Sequence, residues 1–159
     1  ALAPDRVPTL VLLCSSALVT ARARRVYRMF ELLCTQVDGS AFPDLVAPFL
    51  FGSTFHQQRP GVVDDILRSM KPTPESRAFM QSQARALQQF DGEGDARACR
   101  ARTLCLGGAE DTLTTPAEVE ATAALVVGAR CTIVPHAGHS LLLESAAAFD
   151  AVVAFARGG

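Results

Sequence analysis

The sequence predicts an α/β fold: three parallel strands with flanking helices, interrupted by a block of helices inserted after the first strand. Three observations carry this. Short runs that are apolar at nearly every position, Thr9–Cys14, Thr103–Leu106 and Cys131–Val134, each end in a loop, as strands covered on both faces should. A helix with clear start and stop signals separates the last two runs, which makes a βαβ unit. Between the first run and the second, the apolar residues recur at helical spacing. The chain therefore divides into a strand and its approach (1–19), a helical insertion (20–98) and a second block with two strands and two helices (99–159).

Taken in order, Ala1 to Ala3 read as the tail of a helix, and Asp5-Arg6-Val7-Pro8 leads into the first strand, which Ser15 and Ser16 close. Val26, Phe30, Leu33 and Val37 mark one face of a helix that Asp38-Gly39-Ser40 ends. Phe42 to Phe51 is apolar but broken by Pro43 and Pro48, so a short or kinked helix is expected. His56-Gln57-Gln58-Arg59 reads as a polar loop, and Pro60 to Met70 as a helix with Val62, Val63, Ile66, Leu67 and Met70 on one side. Thr73 and Pro74 supply an N-cap and first position for a helix lined by Met80, Ala84 and Leu87. Asp91-Gly92-Glu93-Gly94-Asp95 returns the chain to the sheet. Gly107-Gly108 is expected to turn the chain sharply off its strand and aim Asp111. Thr115-Pro116-Ala117-Glu118 is a capping box, and Gly128 closes its helix. Gly138 allows a tight loop before His139. Ser145 caps a last helix with Phe149, Val152, Val153 and Ala156 as its apolar stripe, and Arg157-Gly158-Gly159 frays.

Composition bounds the function. A hydrophobic share of 49% with 19% charged residues is that of a globular chain, not a disordered one. A net charge of −1 argues against a nucleic-acid partner. Arg22, Arg24, Arg25 and Arg28 read as a solvated helix face, and the scarcity of lysine (Lys71 alone) as base composition of the genome. No run is long enough to span a bilayer. Cys14, Cys34, Cys99, Cys105 and Cys131 form no C-x-x-C and lie at no zinc spacing, which points to a reducing, cytoplasmic location.

The chemistry concentrates in two loops. One carries Gly107-Gly108-Ala109-Glu110-Asp111, the other His136-Ala137-Gly138-His139. In a right-handed βαβ unit both strands point the same way, so these loops emerge on one side of the sheet, where open α/β sheets place their sites. A carboxylate against an imidazole orients the ring and stabilises its protonated form, making a general base for a nearby nucleophile. Asp111 and His139 are the expected pair, with Glu110 and His136 the poorer candidates for each role. Glu144 is expected to support the loop or the last helix. Cys14 and Ser15 have no flanking glycine to form a nucleophile-bearing turn.

The Gly-Gly-Ala-Glu-Asp-Thr-Leu-Thr-Thr-Pro run and the Pro-His-Ala-Gly-His-Ser-Leu-Leu-Leu-Glu run resemble the C-terminal part of α/β-hydrolases of the capped esterase and lactonase type, and Pro4-Asp5-Arg6-Val7 before a strand resembles that fold's sixth strand and its approach. The resemblance implies that Asp111 is the triad acid, His139 the triad histidine and 20–98 a helical cap. Phe49, Phe51, Phe55 and Met70 would then line the substrate pocket, with His56 a weaker contact. It implies a small ester, thioester or lactone as substrate, and no metal or organic cofactor. One departure is large: there is no G-x-S-x-G. The nucleophile and oxyanion hole are therefore expected upstream of Ala1, in a missing N-terminal half. The first strand would be left as an apolar edge, a marginally stable and aggregation-prone arrangement without esterase activity of its own. A non-catalytic binding protein of the same fold, or an acyltransferase or haloperoxidase-like member, are the alternatives.

Overall fold

In the computed structural model the described residues are 6–158, so the helix tail expected at Ala1–Ala3, the approach at Pro4-Asp5 and the terminal Gly159 lie outside them. Three strands, β1 (Thr9–Leu13), β2 (Arg102–Gly108) and β3 (Arg130–Val134), form one parallel sheet in the order β1-β2-β3. Val11 pairs with Leu104 and Cys105 with Cys131. Side chains alternate across a strand, so β2 feeds two cores. Leu104 and Leu106 pack with Val134, Ala148 and Phe155 on one face, while Cys105 packs with Val119 and Ala123 on the other. The first set meets α9 (Ala146–Ala156), which follows the single-turn α8 (Leu141–Glu144), and the second α7 (Pro116–Leu125). From Thr103 to Gly108 every residue of β2 is buried, whereas all of β1 is only partly so. The difference is positional. β2 has a strand on each side, and β1 has one on a single side among the described residues. On the α7 side of the sheet Leu10 and Leu12 border an apolar hollow of about 520 Å³, shared with Phe90, Ala96 and Val126.

The insertion holds α1 (Ala21–Gln36), α2 (Phe42–Leu50), α3 (Ser53–Gln58), α4 (Pro60–Ser69), α5 (Pro74–Gln88) and α6 (Glu93–Ala98). Thr20 and Thr73 cap α1 and α5 by accepting from Ala23 N and Ser76 N at 3.0 and 3.2 Å. Cys34, Phe42 and Val46 are buried at its centre, surrounded by Phe30, Leu33, Leu50, Met70 and Met80. Residues 56–58, expected as loop, belong to α3, and part of the expected return segment is α6. Both are six-residue helices, too short to show an apolar period. In α6 a Glu93–Arg97 pair at 2.7 Å, four positions apart, lies along an alanine-containing turn. Pro48 sits within α2.

Two further expectations change. Gly107 and Gly108 do not turn the chain; both are in β2, and neither has positive φ. They are needed for space. A Cβ on Gly107 would lie 2.9 Å from Val119 Cγ2, and one on Gly108 2.3 Å from Ala137 O. The apolar face of α9 is also rotated. Ala148 and Phe155 are buried while Phe149 is 55% exposed, because the helix is apolar nearly all round and its neighbours select the face. The capping box at Thr115–Glu118 and the N-cap at Ser145 are as expected, with Ser145 Oγ accepting from Ala148 N at 3.2 Å.

Glu31 of α1 is buried and binds Arg85 and Arg28 at 2.7 Å each and Gln88 at 3.0 Å, tying α1 to α5. Arg85 foremost, then Gln88 and Arg28, hold its carboxyl down to about 2, from an ordinary value of 4.5. A carboxyl depressed on folding stabilises fully above its unfolded pKa and loses that contribution as pH falls through the folded value. Thermal melts should therefore show wild type losing its advantage over Glu31→Gln between about pH 5 and pH 2; parallel curves would refute the assignment. Glycine substitutions should separate by environment. Gly108→Ala meets a carbonyl oxygen and should cost about 1–3 kcal/mol in urea unfolding. Gly94→Ala, with nothing within 4 Å in α6, should gain up to about 1 kcal/mol.

Candidate active site

Beyond β2 the chain is stitched to the loop that follows β3. Ala109 N donates to Val134 O and Glu110 N to Ala137 O, each at 2.8 Å. This turns Asp111 inward, where it is 3% exposed. Its Oδ1 accepts from Leu113 N at 2.8 Å and Thr114 N at 2.9 Å, the self-contained turn that aspartate forms with its own backbone. Oδ2 is left for His139, whose Nδ1 lies at 2.9 Å. A carboxylate accepts, so the proton of the neutral ring sits on Nδ1 and Nε2 carries the lone pair. Among the described residues no hydrogen bond engages Nε2. The imidazole is 28% exposed and borders a depression of about 240 Å³ lined by Leu13 and Leu141–Leu143. An oriented base whose accepting nitrogen is not engaged is equipped to take a proton from a group placed beside it.

Cys14 joins this cluster, although the sequence offered no motif for it. It follows β1, its N–H donates to Leu106 O at 2.8 Å, and it adopts φ +44°, a conformation uncommon for residues other than glycine. The signal that could have placed it is topological: β1 is parallel to β2 and β3, so its C-terminal end reaches the same side of the sheet. Ligand atoms of Cys14, Asp111 and His139 lie within 4.8 Å of one another. Burial, then the Asp111 charge, pushes the thiol up to about 12, which favours its protonated form, and Sγ donates to Gly138 O at 3.8 Å. The Asp111–His139 spacing is not that of a tetrahedral zinc site. The 2.9 Å between Nδ1 and Oδ2 is a hydrogen-bond separation, whereas two tetrahedral zinc ligands at about 2.1 Å stand about 3.4 Å apart.

The other candidates go elsewhere. Glu110 accepts from Thr54 N at 2.7 Å, Ser53 Oγ at 3.0 Å and the Thr54 hydroxyl, and these bonds, the hydroxyl's first, lower its carboxyl below the ordinary value. His136 is 77% exposed, at φ +58° and 3.8 Å from Glu110. Ser15 Oγ donates to Leu13 O at 2.7 Å. Glu144 supports the histidine loop by accepting from Gly138 N at 2.8 Å. Phe51 and Phe55 stack with centroids 5.6 Å apart, and His56 meets Phe51 edge-on at 5.9 Å. Phe49 faces Phe30 at 5.5 Å, and Met70 packs into the Cys34–Phe42–Val46 cluster. The structure thus brings Phe51 and Phe55 together and leaves Phe49 and Met70 apart from them. The four arginines of α1 are exposed, and Arg22 reaches the Thr112 carbonyl next to the acid.

No protein-family model matches this chain, and no curated protein does. Solved structures do. An α/β-hydrolase enzyme from a Medee basin deep-sea metagenome library superposes with TM-score 0.84 at 18% identity, over 95% of this chain and 56% of its own. The enol-lactonase from Burkholderia xenovorans gives 0.82 at 24%, over 96% and 57%. A hydrolase from Pseudomonas aeruginosa gives 0.81 at 25%, over 99% and 58%. The chain thus spans a little over half the length of these structures. Its three-stranded parallel sheet and flanking helices are the C-terminal part of the α/β-hydrolase fold.

Proposed function

We propose that this chain carries the acid and the histidine of a serine-type α/β-hydrolase that cleaves a carboxylic ester, thioester or lactone, with its nucleophile and oxyanion hole supplied by residues upstream of Ala1. The observation that carries this is the Asp111–His139 pair: a buried carboxylate, pinned by two backbone N–H groups, bonded to Nδ1 of a part-exposed ring that lines an open depression. His139 takes the proton of the nucleophile as it attacks the carbonyl and returns it to the leaving oxygen or sulfur. Asp111 holds the tautomer and stabilises the imidazolium. The enol-lactonase among the similar structures favours the substrate class.

The surroundings support an upstream half. The open edge of β1, the hollow beside Leu10 and Leu12, and the exposed Leu142 and Leu143 beside His139 form apolar surface where a further strand and its nucleophile-bearing turn would pack. In this reading 20–98 is the cap, Phe51 and Phe55 supply pocket wall next to the histidine loop, and Phe49 and Met70 act deeper in the cap. Five unpaired cysteines suit a reducing cytoplasmic setting.

Hydrolysis of a short p-nitrophenyl ester tests the proposal, on the chain alone and on a version extended upstream. Turnover is expected in the extended form alone. There Asp111→Asn should lower kcat by roughly 10³–10⁴-fold and His139→Ala by roughly 10⁴-fold or more. Turnover by the chain alone, or an extended form indifferent to His139→Ala, would overturn it.

A further inference from the structure

Glu110 lies in the loop beside Asp111 and Glu144 at the end of the short helix after His139, yet both grip one short stretch of the insertion. Glu144 Oε2 accepts from Gly52 N at 2.9 Å and from Gly138 N at 2.8 Å. Glu110 Oε2 accepts from Thr54 N at 2.7 Å and Ser53 Oγ at 3.0 Å. A backbone tie runs alongside, from Ser140 N to Leu50 O at 2.8 Å. The stretch Leu50–Thr54, where α2 passes into α3, is therefore bonded to the acid loop, directly to Ser140 and through Glu144 to Gly138, the two neighbours of His139.

The contact leaves no slack. A Cβ on Gly138 would lie 2.3 Å from Gly52 N, and one on Gly52 2.7 Å from Glu110 Oε2 and 2.9 Å from Gly138 N. Backbone meets backbone here with the carboxylates as the links. The second oxygen of Glu144, Oε1, is buried with no partner among the described residues. A bare acceptor is costly, so this carboxylate is held by what Oε2 does: it bridges two amides that belong to different parts of the chain.

We infer that Glu110 and Glu144 are positioning residues, a two-carboxylate latch that makes the placement of His139 depend on the seating of the insertion at Gly52–Thr54. Displacing that stretch pulls on Gly138, one residue from the base. Seating it completes the geometry of the pair. The catalytic consequence rests on the hydrolase reading above; the mechanical linkage does not.

The test uses the full-length enzyme and two readouts. In hydrogen exchange, Glu144→Ala should accelerate Gly52 and Gly138 together, by at least about tenfold, while amides of β2 keep their protection. Glu110→Ala should do the same at Thr54 and carry over to Gly138. Glu144→Gln, whose amide oxygen can accept both N–H groups, should retain the protection. In turnover, Glu144→Ala should lower kcat roughly 10- to 100-fold with a smaller change in KM, Glu144→Gln should recover most of it, and the double alanine variant should fall short of the product of the singles. Acceleration at Gly138 without Gly52, loss of protection across β2, or strictly multiplicative singles would each overturn the latch. If Glu144→Ala does not fold, Glu110→Ala and Glu144→Gln decide it by the same exchange criterion. An enzyme with linked exchange but no esterase activity would keep the latch and sink the hydrolase reading.

Discussion

A carboxylate removed from water is costly unless it is hydrogen-bonded, and the way Asp111 meets that cost organises this end of the molecule. Two of its three bonds are local, to the amides of Leu113 and Thr114, and come from the turn that follows β2. The turn itself is held by Ala109 N and Glu110 N, which bond to Val134 and Ala137. The acid loop is therefore shaped by the histidine strand before any side chain pairs. The third bond, to His139, then follows from placement.

Close approach of backbone is what makes such placement possible. Parallel strands deliver three loops to one side of the sheet, and there the chain must pass itself at contact distance. Gly108 against Ala137, and Gly138 against Gly52, leave no volume for a Cβ. Cys14 ends β1 in the same crowded space, in a left-handed conformation with its thiol buried against the acid. The carboxylates of Glu110 and Glu144 then satisfy the amides that this packing takes out of solvent, and in doing so they bond the insertion to the loops.

The apolar surface is distributed unevenly. β2 is sealed between α7 and α9, and the insertion has its own centre at Cys34, Phe42 and Val46. By contrast β1 is half-covered, with a hollow of about 520 Å³ along it, and Leu142 and Leu143 stand exposed beside His139. Burial of this surface would stabilise by about 25 cal/mol per Å², which favours whatever packs there and penalises its absence.

By itself the sequence determined what is written within a turn or two of chain. Apolar runs announced the three strands, Thr73-Pro74 and Thr115–Glu118 announced helix starts, and parallel topology brought Asp111 and His139 together across 28 positions. Those signals are local hydrogen-bond patterns and periodicities, plus one rule of handedness. Tertiary structure decided the rest. α3 and α6 are too short to show a period. The buried face of α9 was chosen by its neighbours, since nearly all its faces are apolar. Gly107 and Gly108 looked like a turn because their real constraint, contact with Val119 and Ala137, lies in other elements. Glu144 finds Gly52 across 92 positions, and Cys14 finds Gly138 across 124. No local pattern encodes such meetings, because they exist only once the strands have paired and the helices have closed over them.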